Sequence, residues 1–139
     1  LEAAFQREVY QRIDNKQPLS ALVLKNIKLN VLRRFWGDAV EIPDWAGLTW
    51  MRQPHYFMGL YPYTYSAGLT LGTKVAKMIE HKEIQPENWI EVLKAGGTKT
   101  PLELAKMVGV DLTTDQALNE VIDEIAATID DIIAFHTKD

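Results

Sequence analysis

Cysteine is absent from the 139-residue chain, which excludes a disulfide framework, thiol catalysis and any thiolate metal site, and fits a reducing compartment. Histidine is nearly as scarce. The three present, His55, His81 and His136, never fall four residues apart, so the chain lacks the H-E-x-x-H arrangement that puts two zinc ligands and a glutamate base on one helix. There is no G-x-S-x-G elbow, P-loop or dinucleotide fingerprint, so neither a strand-borne nucleophile nor a phosphate cradle is indicated. No apolar run approaches the roughly 18 residues of a membrane span, and no signal-peptide pattern opens the chain. A surplus of basic residues is lacking too: the net charge is −4 and the pI about 5.4, against the clustered positive surface that phosphate binding needs. These absences lead to the expectation of a cytoplasmic protein with no nucleic-acid or membrane partner.

What the chain does have is a dense group of neutral hydrogen-bond donors. His55, Tyr56, Tyr61, Tyr63 and Tyr65 fall within eleven residues. A phenol titrates near ~10 and so keeps its proton at neutral pH, which lets tyrosines beside a histidine donate to a developing negative oxygen. The competing explanation is structural: aromatic residues at this spacing also fill cores and bond their hydroxyls to nearby carbonyls.

Hydropathy patterning predicts an all-α fold, with the whole chain, residues 1–139, read as a single helical segment built on one core, which at 47% hydrophobic content can bury roughly two thirds of its unfolded surface. Phe5, Val9 and Ile13 mark a first amphipathic helix over Leu1–Lys16. It starts with no cap, and the expectation is that the chain continues upstream. Pro18 and Ser20 introduce a helix over Leu22–Trp36, apolar around most of its circumference and so expected to be buried on more than one side. Asp44–Trp50 is ambiguous. Pro62, tolerated at a first helical position, starts a helix running to about Glu80. There Tyr61 and Tyr65 share a face as a working pair and Tyr63 becomes a packing residue, while Gly68 and Gly72 form a notch for close helix contact.

Pro86 opens a helix to Leu93, stopped by Gly96-Gly97 at positive φ. Thr100-Pro101-Leu102-Glu103 is a capping box for a helix over Pro101–Val108. Thr113 and Thr114 are expected to cap the last helix, whose Leu118, Val121, Ile122, Ile125, Ile129, Ile132 and Ile133 stripe opposes Glu120, Asp123, Glu124, Asp130 and Asp131. Those acids read as a solvated face, as does His81 beside Glu80 and Glu83. His136 is given no role.

The stretch GLTWMRQPHYFMGLYPYTYSAG, Gly47 to Gly68, resembles the C-terminal part of the oligoendopeptidase F branch of the thimet-oligopeptidase-like zinc metallopeptidases, which show G-x-x-W-x-R-x-P-H-F-Y followed by F-Y-x-Y-x-Y-A-x-G. AAFQREVY, FWGDAV and VLKAGGTKTPLELAKMVGVDLTT extend the likeness over nearly the whole chain in one order. The resemblance implies a zinc-dependent peptidase acting on short peptides, its zinc ligands and general base lying upstream and none in this segment. It further implies a substrate-facing wall in which His55, Tyr61 and Tyr65 are catalytic, stabilising the oxyanion formed at the scissile carbonyl, and Tyr63 and Gly68 bind substrate. A segment of this kind is expected to be inactive alone, to pack against the upstream half of the same catalytic domain, and to self-associate through a bared apolar face. Two alternatives remain open: a stand-alone, non-catalytic helical module that binds peptides without zinc, and a structural helical domain whose tyrosines are core.

Overall fold

The computed structural model describes residues 1–137, and every regular element among them is helical. The chain divides into two compact units, Leu1–Tyr65 and Ser66 onward.

In the first unit, α1 (Glu2–Asp14) and α2 (Ala21–Trp36) lie against each other, and α2 also carries a 3-10 segment, Asp44–Arg52. Ser20 caps α2 by accepting a hydrogen bond from the Val23 amide at 3.3 Å, satisfying one of the donors that a helix start leaves free. Phe5, Ile27, Val31 and Tyr56 form the core, with Val9, Val23, Leu24 and Trp50 around it. α2 buries Ile27, Lys28, Leu29 and Val31, residues that point in different directions around the helix, as its all-round apolar pattern requires. Ile13, by contrast, leaves the core and stands in solvent.

The ambiguous Asp44–Trp50 stretch is the 3-10 segment, and Gly47 explains how it approaches α2. A Cβ at this position would sit 2.8 Å from the Leu29 and Lys25 Cγ atoms and 2.9 Å from the Lys25 carbonyl oxygen. Only a residue without a side chain fits. The Lys25 ammonium pairs with Asp44 at the start of the segment.

The second unit consists of α3 (Tyr63–Glu80, beyond its first turn), α4 (Pro86–Ala95), a short 3-10 turn (Gly96–Thr98), α5 (Pro101–Met107) and α6 (Gln116–His136). Val75, Val92, Ala105, Val108, Val110 and Ala117 make its core. The Thr100 capping box forms: Thr100 Oγ1 accepts from the Glu103 amide at 3.3 Å and the Glu103 carboxylate accepts from the Thr100 amide at 2.8 Å.

Four local expectations are corrected. α3 starts at Tyr63, one residue after Pro62. Gly96 alone takes positive φ, +53°, while Gly97 lies at −87°. Thr113 and Thr114 do not cap α6, whose preceding residue is Asp115; the Thr113 hydroxyl and amide instead donate to the Asp111 carboxylate, at 2.6 and 2.8 Å. An aspartate two residues upstream offers a nearer acceptor than the helix offers donors. Gly68 and Gly72 form no notch, because no described atom comes within 4 Å of where their Cβ atoms would be.

α6 is anchored in its unit by Ala117 and Val121 and by ion pairs from Lys74 to Glu120 and Lys77 to Glu124, both 2.6 Å. The rest of its apolar stripe is bare: Ile122, Ile125, Ile129, Ile132 and Ile133 are each between 43% and 55% exposed. No described helix is long and apolar enough to cross a membrane.

Candidate substrate-facing site

The donor cluster is assembled by a turn, a reversal and a helix start. Pro54–Phe57 forms one 3-10 turn with proline at its first position, where the missing amide costs nothing. The chain then reverses through Gly59 and Leu60, at φ +42° and +43°. Two consecutive positive φ values suit a tight reversal, but leucine adopts this region at a cost of roughly 1–2 kcal/mol. Beyond them Pro62 is buried, and Thr64 pins Tyr61 by donating from its amide (3.0 Å) and its hydroxyl (2.6 Å) to the Tyr61 carbonyl oxygen.

This path brings three rings together. The imidazole of His55 stacks on Tyr61, with centroids 5.4 Å apart and planes 13° from parallel. Tyr65 stands edge-on to both, 5.5 Å from Tyr61 and 6.2 Å from His55. The Tyr65 hydroxyl lies 3.5 Å from that of Tyr61. This bond, first of all, and the partial desolvation and charge of the neighbouring phenol push the Tyr65 pKa above its ordinary value. Tyr65 is therefore a neutral donor at physiological pH. His55 and Tyr61 are half-buried while Tyr65 is 60% exposed, so the group is held from below and open above. Chemically it can offer hydrogen bonds and flat aromatic surface to a backbone carbonyl.

Of the other two tyrosines in the cluster, the one expected to pack is exposed and the other is buried. Tyr63 does not pack: it is 53% exposed on the first turn of α3 and outside the three-ring group. Tyr56 is the packing residue, buried with its ring edge-on to Phe5 at 4.9 Å. Gly68 lies one turn beyond Tyr65 on α3, its surface open.

No group of three or more His, Cys, Asp or Glu is placed to hold a metal ion among the described residues. His81 lies 3.6 Å from the Glu83 carboxylate at the end of α3. A cleft of about 160 Å³ in the second unit, lined by Lys74, Lys77, Met78, Glu120, Val121 and Glu124, has its lysines already committed to ion pairs with those glutamates and offers no free charge to a ligand through them.

The 28%-identical oligoendopeptidase F homolog of Borreliella burgdorferi aligns over 131 residues, 94% of this chain and 22% of that protein. The oligopeptidase PepF of Bacillus subtilis is 29% identical over 84% of this chain and 18% of its own length. An oligoendopeptidase F homolog of Mycoplasma genitalium is 35% identical over 74 residues, 52% of this chain and 12% of its own. The chain thus spans 22% or less of the length of these three relatives. No solved structure matches it. The profile of peptidase family M3 matches residues 2–124, a stretch that contains His55 and all the tyrosines of the cluster, and the chain belongs to that family.

Proposed function

We propose that this chain is the C-terminal segment of a zinc-dependent oligoendopeptidase that hydrolyses peptide bonds in short peptides in the cytoplasm, and that it supplies the substrate-facing wall of the active site. The observation that carries the reading is the convergence of His55, Tyr61 and Tyr65, with ring centroids 5.4 to 6.2 Å apart, in a chain of family M3.

The described residues place no group of three or more His, Cys, Asp or Glu to hold a metal ion, and in this reading zinc, which would activate the attacking water, is held by residues upstream of Leu1. The segment's own part is to bind the peptide and orient its carbonyl. Tyr65 and His55 donate toward the carbonyl oxygen as negative charge develops on it: the Tyr65 hydroxyl turns its one proton from the Tyr61 oxygen to the carbonyl, the Tyr61 hydroxyl donates to the Tyr65 oxygen in its place, and the ring stack holds His55. In this reading Tyr63, whose phenol is exposed, and Gly68, whose surface is open, also bind the peptide. Without metal ligands and a base the segment is inactive by itself. The bare isoleucine face of α6 fits the same reading, as the surface against which the upstream half of the catalytic domain packs.

The test is to read the frame upstream of Leu1 in the source DNA. An H-E-x-x-H with a later glutamate in frame is the expected result. A start codon within a few residues of Leu1 would overturn the peptidase reading and leave a stand-alone peptide-binding module, whose zinc-independent affinity a peptide titration would measure.

A further inference from the structure

Lys28 is the one buried cation among the described residues that the proposed chemistry does not use; its side chain is 3% exposed. An ammonium taken out of water must be paired and hydrogen-bonded. The Glu2 carboxylate, at 2.8 Å, already serves as its counter-ion. Yet Lys28 also donates to the Tyr56 hydroxyl at 2.7 Å, with its nitrogen 5.2 Å from the centre of the Tyr56 ring and 5.6 Å from that of Phe5. The far end of the same residue is held as well: Gln6, itself buried, donates from Nε2 to the Tyr56 carbonyl oxygen at 3.2 Å.

Tyr56 follows His55 on the Pro54–Phe57 turn. A 3-10 turn has three residues per revolution, so adjacent side chains diverge by about 120°, and driving Tyr56 inward turns His55 outward. On the other side, the reversal at Gly59 and Leu60 adopts positive φ, a conformation costly for leucine, and no side-chain hydrogen bond is made by Met58, Gly59 or Leu60. The direction of His55 is therefore set from behind through Tyr56, whose ring packs on Phe5 of α1 and whose two polar ends are held by Gln6 of α1 and Lys28 of α2.

Resting on the substrate-wall reading above, we infer that Lys28 is a positioning residue, which by clamping Tyr56 together with Gln6 holds the His55 imidazole against Tyr61 and Tyr65. Lys28 touches no substrate. Its contribution reaches the reaction only through the orientation of its neighbour's neighbour, and misplacing a group by about 1 Å can cost up to about a hundredfold in rate.

The test uses the full-length protein labelled with [13Cε1]histidine, the His55 resonance being assigned by its loss in His55→Gln. Lys28→Met and Tyr56→Phe each remove one side of the bond, and the latter keeps the packed ring, so it remains informative if the former fails to fold. Both are expected to move the His55 resonance, which feels the ring current of Tyr61, and to lower kcat about tenfold or more with KM nearly unchanged. In the double variant melting recovers in part, because neither buried end of the Lys28–Tyr56 bond is left unsatisfied and only the half-exposed Glu2 carboxylate loses its partner, while the His55 shift and the lowered kcat persist. A folded Tyr56→Phe with its His55 resonance in place and kcat within about twofold of the parent would overturn the inference. Failure of the substrate-wall reading looks different: His55→Ala would then leave kcat unchanged, while the resonance shift caused by Tyr56→Phe would still report the clamp.

Discussion

The Tyr65 hydroxyl lies 3.5 Å from the Tyr61 hydroxyl, with the two rings perpendicular and the His55 imidazole stacked on the face of the second. Tyr65 donates in this pair, so the bond favours its protonated form and its pKa lies above the ordinary phenol value. Tyr61→Phe removes the acceptor and keeps the ring. The Tyr65 titration is expected to fall back toward the ordinary value, read from ring-carbon shifts in tyrosine-labelled protein. An unchanged titration would mean that the two hydroxyls do not interact.

Gly47 is a steric requirement of the first unit. In Gly47→Ala the new methyl meets the Lys25 carbonyl oxygen at 2.9 Å, a backbone atom that cannot move aside as a flexible side-chain end could. The expected cost is about 1–3 kcal/mol in chemical denaturation, with His55 and its neighbours unaffected in kind. Destabilisation below about 0.5 kcal/mol would show that α2 yields to the segment.

Acid weakens the second unit through defined carboxylates. Glu103 is held below the usual range by the Thr100 amide and then its hydroxyl, Asp111 by the Thr113 hydroxyl and then its amide, and Glu120 by Lys74 and then Gln116. The folded state binds these protons more weakly than the unfolded chain does. Their stabilisation is therefore complete above about pH 4 to 5 and is lost as the pH falls through the lowered values. Glu103→Gln should lower Tm near neutrality and reduce its further loss on acidification, and a Tm–pH curve parallel to that of the parent would contradict this.

The bare stripe of α6 should govern association of the 139-residue chain by itself. Ile125 and Ile129 lie at its centre, both exposed. Ile125→Glu with Ile129→Glu is expected to shift sedimentation toward monomer and to abolish binding of a hydrophobic dye. A parent chain that is already monomeric and binds no dye would contradict the expectation.

The helices were legible where their determinants are local. Ser20 and the Thr100–Glu103 box announce their own helix starts. The rings of Tyr61 and Tyr65 do meet, but not as neighbours on one helix face, since Tyr61 lies in the turn before α3 and only Tyr65 is on the helix. Thr113 misled because a threonine has the same cap chemistry whether it serves a helix or a nearby aspartate, here Asp111. That Tyr56 rather than Tyr63 turns inward was not legible, because it is decided by residues distant in sequence, Gln6 and Lys28, 50 and 28 positions from Tyr56. Lys28 carries no mark of burial in its own neighbourhood, since its partners come from α1 and from the Pro54–Phe57 turn. The stack of His55 on Tyr61 spans a reversal that runs through Leu60 at positive φ, a conformation that leucine does not advertise.

The central claim is that Tyr65 donates to the peptide carbonyl as charge develops on it, and the most direct measurement is kcat/KM of full-length Tyr65→Phe on a short peptide, with Tyr63→Phe beside it. The account predicts a fall of ~10²–10³ for Tyr65→Phe, about 3–4 kcal/mol, carried by kcat, and for Tyr63→Phe a raised KM with kcat unchanged. A Tyr65→Phe enzyme within about threefold of the parent would contradict it and assign the three-ring group to packing alone.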